Sequence, residues 1–111
     1  MADRETIVRW AEVEPFEQVP RLFRRTLSTT DKIMICEFRA LPGALVPNHQ
    51  HPHDQVGYVV SGEIKITIAG ETSVCKAGDG YAILGGVEHS AIFESEAVVI
   101  DSFTPPREDY E

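Results

Sequence analysis

Residues 43–62 read GALVPNHQHPHDQVGYVVSG and hold three of the chain's four histidines, His49, His51 and His53, at every second position. In an extended chain, positions i and i+2 share a face, so His49 and His51 can converge on one point. Gln55 has the same parity if the chain stays extended past Pro52. Neutral imidazoles are the usual ligands of zinc, nickel, copper and iron, and two on one strand chelate at little entropic cost. A third ligand from elsewhere would close such a site, and His89 is the remaining histidine. A bare His-x-His also describes a polar loop or a set of hydrogen-bonded edge histidines, and spacing alone leaves both open.

The text around the histidines is that of short strands broken by turns, with no long stretch of helical period. Residues 63–70, EIKITIAG, alternate strictly: Ile64, Ile66 and Ile68 take one face, Glu63, Lys65 and Thr67 the other. A strand with one wet side requires this pattern, and Gly62 and Gly70 are its turns. Further strands are expected at 6–11, 21–28, 32–40, 56–61, 72–76, 80–84, 89–94 and 97–103, the density of a small sandwich or barrel. Only the tail PPREDYE, after Pro105 and Pro106 stop the last strand, could start a helical turn. The reading is all-β, with residues 1–111 as a single domain.

Composition limits the function. A chain of 111 residues can bury about two-thirds of its unfolded surface, enough for a core. Its 42% hydrophobic and 25% charged residues are ordinary for a soluble protein, and no apolar run approaches the ~18 residues of a membrane span. The start, MADRETIVRW, carries Asp3 and Glu5 and no apolar core of a secretory signal. Cys36 and Cys75 lie in apolar strand-like runs and read as buried free thiols, in keeping with a cytoplasmic location. A net charge of −8 repels polyanions, so nucleic acid is not an expected partner.

The segment at 43–62 resembles the first motif of the cupin superfamily: glycine, five residues, His-x-His, three or four residues, glutamate, six residues, glycine. Gly43, His49, His51 and Gly62 fill their places, and Gln55 stands where the family has glutamate. The second motif is met in GDGYAILGGVEHSAIF by Gly78, Gly86 and His89, with Leu84 in place of proline and Phe93 in place of asparagine. The resemblance implies a single-domain jelly-roll β-barrel, with the motif-bearing core at about 32–104. It also implies one divalent metal ion (zinc, nickel, manganese or iron) on His49, His51, Gln55 and His89. His53 is not a family ligand position. An amide at 55 leaves the cation four neutral ligands and its full charge, which favours Lewis-acid work.

The tail VIDSFTPPREDY, residues 99–110, is similar to that of the small single-domain cupins typified by the pectin-degradation protein KdgF. That group opens 4,5-unsaturated uronates to linear keto acids, and its aspartate, phenylalanine and arginine fall on Asp101, Phe103 and Arg107. The resemblance implies Asp101 and Arg107 as catalytic residues, with Phe103 and Arg107 binding a sugar-acid substrate. A sugar-acid binding protein without turnover and an iron or copper cupin oxygenase are the alternatives. A homodimer is expected, because small cupins usually bury an outer sheet face or swap an N-terminal strand. Here Ile7 and Trp10 lie in a segment that needs cover.

Overall fold

The computed structural model describes residues 5–111; Asp3, used in reading the N-terminus, lies outside them. Ten strands follow a short 3-10 turn at Trp10–Glu12: β1 (Phe16–Val19), β2 (Leu22–Thr29), β3 (Met34–Ala40), β4 (Ala44–His49), β5 (Asp54–Ser61), β6 (Glu63–Ile68), β7 (Glu71–Lys76), β8 (Gly80–Ile83), β9 (His89–Phe93) and β10 (Ala97–Thr104). They form a six-stranded sheet in the order β1-β2-β3-β10-β5-β8 and a four-stranded sheet in the order β4-β9-β6-β7. All pairings are antiparallel. This is the expected jelly-roll fold, and no helix among the described residues is long and apolar enough to cross a membrane.

The two sheets bury one cluster of side chains between them, including Met34, Phe38, Val59, Ile64, Ile66, Ile83, Phe93, Val99 and Phe103. In β6 the alternation seen in the sequence is the alternation of burial: Ile64 and Ile66 are inside, Glu63 and Lys65 outside. In β10, Ala97, Val99, Asp101 and Phe103 all face inward, so a carboxylate shares the interior face with three apolar side chains. Between β5 and β6, Gly62 turns at φ +76°, and a Cβ there would come within 2.2 Å of the Glu96 carbonyl oxygen.

Four expectations need correction. Residues 6–11 do not form a strand, and Trp10 opens the 3-10 turn instead. Its indole N–H donates to Glu37 Oε1 at 2.8 Å, and the Arg25 guanidinium lies 3.9 Å from the ring centroid. Arg25 and Arg39 reach the same Glu37 oxygen at 3.7 and 3.2 Å, so the cover expected for Trp10 comes partly from the chain's own outer sheet face. Strands β1 and β4 stand where none was expected. Cys36 is fully buried, but Cys75 is only partly so; both are free thiols, as read.

Fourth, His49 and His51 do not share a strand: His49 ends β4, and His51 lies in the link to β5. The register shows how they still converge. Val46 pairs with Ala91 and His49 with His89, so three steps along β4 face two along β9. The extra residue falls at Pro47 and Asn48, where proline has no N–H to give the ladder. This bulge reverses the parity of the strand, and His49 joins Ala44 and Val46 on the inner face.

Candidate metal and acid site

His49, His51 and His89 present ligand atoms that all lie within 4.8 Å of one another. Their ring centroids are 4.2 Å (His49–His89), 4.8 Å (His51–His89) and 5.6 Å (His49–His51) apart. Each ring places Nδ1 against a backbone carbonyl two residues away: Pro47 for His49 at 3.0 Å, His53 for His51 at 3.1 Å, and Val87 for His89 at 2.9 Å. A carbonyl only accepts, so Nδ1 carries the proton in all three and each Nε2 is left with a lone pair. Backbone carbonyls thus hold the rings in the ligating tautomer, as the hydrogen-bond partners of metal-bound histidines do.

Gln55, on β5, closes the fourth side, with its Oε1 3.1 Å from His51 Nε2. With the proton on Nδ1, two acceptors face each other there. Burial, followed by the Arg107 charge and the other histidines, pushes the His51 imidazole down to about 4, so it does not resolve the contact by charging. His89 is lowered as well, chiefly by burial. Several lone pairs converging on one point without a proton suit a cation, and the donor set fits a divalent metal. His53 is not part of this group; its carbonyl orients His51.

Asp101 lies in the wall of the same cavity. Its side chain is 4% exposed, and Tyr81 Oη donates to its Oδ1 at 2.7 Å. Gln55 lies in the same cavity wall, two residues from Gly57, the Asp101 partner on β5. Burial pushes the carboxyl up to about 6, and the Tyr81 hydroxyl, followed by the Gln55 side chain, holds it back from rising further. The Tyr81 phenol, raised well above its ordinary range mainly by burial, remains a proton donor. Gly57 makes the contact possible: it pairs with Asp101 on one side and Tyr81 on the other, and a Cβ there would sit 2.1 Å from Tyr81 Cζ and 2.4 Å from Asp101 Oδ1.

These groups line one cavity of about 230 Å³, with His49, Gln55, Tyr81, His89, Asp101, Phe103 and Arg107 in its wall. Phe103 is 1% exposed and packs edge-on to His51, with centroids 5.9 Å apart. Arg107 follows Pro105 and Pro106, stacks 3.9 Å from the Tyr110 ring centroid and bonds Asp109 at 3.0 Å. The short turn expected in the tail is present as a 3-10 turn at Glu108–Tyr110. Every site residue read from the sequence thus lies in or beside one cavity. Tyr81 and Tyr110 were not anticipated; an inward tyrosine paired through a glycine with Asp101 is the sign that could have found the first.

The cupin domain model matches residues 36–103, which include all four candidate ligands and Asp101. The chain belongs to the cupin family. Among solved structures, an RmlC-like cupin from Shewanella frigidimarina superposes with a TM-score of 0.92 at 31% identity, covering 96% of each chain. KdgF from Halomonas sp. superposes with a TM-score of 0.89 at 29% identity, covering 96% of this chain and 99% of that one. The polyketide cyclase RemF from Streptomyces resistomycificus, 19% identical with a TM-score of 0.79, shares the fold. No curated protein sequence matches the chain.

Proposed function

We propose that this cupin is a metal-dependent enzyme that opens 4,5-unsaturated uronate monosaccharides to linear keto acids. One observation carries the reading. Among the described residues, the cavity wall beside the histidines bears a single carboxylate, Asp101, and a single guanidinium, Arg107. The similarity to KdgF over nearly the whole chain supports it.

Ring opening is an isomerisation. A proton is added at C4, the C1–O5 bond breaks, C5 becomes a ketone, and the anomeric hydroxyl loses its proton as C1 becomes an aldehyde. Asp101 is placed to deliver the first proton and to accept the second. The Tyr81 hydroxyl fixes its orientation. Arg107 offers a planar pair of donors to the substrate carboxylate, and Phe103 gives the cavity an apolar wall for the sugar ring. A divalent ion on His49, His51, His89 and Gln55 would supply Lewis-acid stabilisation of substrate oxygen.

The test is loss of the ultraviolet absorbance of an unsaturated uronate on incubation with zinc- or nickel-loaded protein under anaerobic conditions. The absorbance should decay with turnover, and a His49→Ala/His51→Ala variant should abolish the decay together with metal binding. Ligand binding without decay would move the assignment to a sugar-acid binding protein. Consumption of a substrate only in the presence of O2 would move it to an oxygenase.

A further inference from the structure

Arg24, on β2, pairs with Phe38 and shares the parity of buried Leu22, so its side chain is directed inward. Its Nη1 donates to Gln18 Oε1, but its Nε is buried without a hydrogen-bond partner. Among the described residues no carboxylate pairs with it. Polar contacts therefore do not explain an arginine in this place. Rings do: its guanidinium carbon lies 4.2 Å from the Tyr110 centroid and 4.9 Å from that of Phe16. Tyr110 is itself buried, edge-on to Phe103 and Phe38 at 5.6 and 6.2 Å, and its carbonyl accepts from Thr26 Oγ1 at 2.7 Å. The Arg107 guanidinium carbon lies 3.9 Å from the same centroid, so two arginines from different parts of the chain share one ring.

Arg107 is thus held by its face and by one edge. The donors of that edge, Nε and Nη2, reach Asp109 at 3.4 and 3.0 Å, which leaves the end formed by Nη1 and the second Nη2 hydrogen, a fork that a carboxylate takes bidentate. The two holds are unequal. The Asp109 side chain is 61% exposed, so water screens its ion pair, whereas the Tyr110 contact is buried. We propose that Tyr110, backed by Arg24, is the positioning residue that aims Arg107 at an anionic ligand. Arg24 then acts on ligand binding without lining the cavity, through the ring it shares with Arg107. This rests on the reading of Arg107 as the group that takes the substrate carboxylate.

The probe is D-galacturonate, a saturated uronate with no enol ether to consume, titrated calorimetrically into the zinc-loaded full chain. Tyr110→Leu should weaken its binding about tenfold and Arg24→Gln about threefold. Tyr110→Phe, which keeps the ring, and Asp109→Asn, which frees only the exposed edge, should stay within about twofold of the wild type. In an Arg107→Lys background, Tyr110→Leu should cost no more than about twofold, because the guanidinium it positions is gone. A tyrosine that merely supports the fold would weaken binding equally in both backgrounds. The Arg107 Nε–H signal in 15N NMR, assigned by its loss in Arg107→Lys, reports the same hold without ligand. Its hydrogen should exchange slowly in the wild type and about tenfold faster in Arg24→Gln, a readout that remains if Tyr110→Leu does not fold.

Equal losses in both backgrounds, or an Nε–H exchange rate indifferent to residue 24, with D-galacturonate binding intact, would overturn the positioning role and leave Arg107 as a ligand-binding group. A wild-type chain that binds no D-galacturonate, with Nε–H exchange still governed by residue 24, would overturn the carboxylate reading of Arg107 and leave the shared ring standing.

Discussion

Adding one methyl group, Gly57→Ala, should damage the site from a position that reacts with nothing. The new Cβ would lie 2.1 and 2.3 Å from Tyr81 Cζ and Cε1 and 2.4 Å from Asp101 Oδ1. Gly57 is paired on both sides, to β10 and to β8, so the backbone has little freedom to retreat. The Tyr81 ring must swing out. Overpacking of this kind costs about 1–3 kcal/mol, and leaving a buried acceptor short of its donor costs about 1–3 kcal/mol more. Together these make about 2–6 kcal/mol, a fall in melting temperature on the order of 10 °C or more. Calorimetry of the wild type, Gly57→Ala and Gly57→Ala/Tyr81→Ala measures it. Removing the ring relieves the two closest clashes, so the double variant should be less destabilised than the sum of the two singles. If Gly57→Ala melted within about 2 °C of the wild type, the packing around Asp101 would be looser than these distances require and the reasoning would fail.

Asp101→Asn and Arg107→Lys should separate kinetically. The first should cut kcat on unsaturated uronates by about 10²-fold or more with the fold retained, and the second should raise KM more than it lowers kcat; near wild-type turnover in both would make the tail structural only. Burial pushes the Cys36 thiol from an ordinary 9.0 up to about 11. The folded chain therefore holds this proton more tightly than the unfolded chain: the stability it contributes is intact below about pH 9 and falls, by roughly 3 kcal/mol at most, as pH rises to about 11. Urea midpoints of the wild type should drop more steeply across that window than those of Cys36→Ala, and a thiol reagent at pH 8 should label Cys36 only after unfolding. Finally, the outward side chains of β5, Val56, Tyr58 and Val60, are all about half exposed, and we expect a second copy to cover them. Sedimentation should give about twice the 12.3 kDa chain mass, and a monomer at micromolar concentration would refute this.

Much of the site was legible because metal ligation and strand alternation both leave local marks. His49 and His51 stand two apart, His89 follows the glycines of its motif, and Asp101 and Phe103 share a parity that the structure keeps. What the sequence hid was long-range or irregular. The bulge at Pro47 and Asn48 is a mismatch between β4 and β9, and neither strand shows it alone. Trp10 looked like strand because the sequence around it is apolar, yet what fixes it is Glu37 and Arg25, 27 and 15 residues away along the chain. The Tyr81 contact to Asp101 crosses β5 through the one position, Gly57, where a side chain is missing.

The parity reversal in β4 ties the bulge to the length of the segment between Val46 and His49. A substitution at Asn48 alters one exposed side chain. Deleting Asn48 instead would leave two steps on β4 against the two from Ala91 to His89, restoring a regular ladder. The strand would become locally more ideal and would still hold the His49 imidazole on the inner face, two steps from Val46, so the bulge is what lets a segment one residue longer deliver the same ligand. Natural variation in this segment should therefore admit single-residue gaps as well as residue exchanges, with His49 facing inward in both, a freedom set by geometry rather than by any side chain's chemistry.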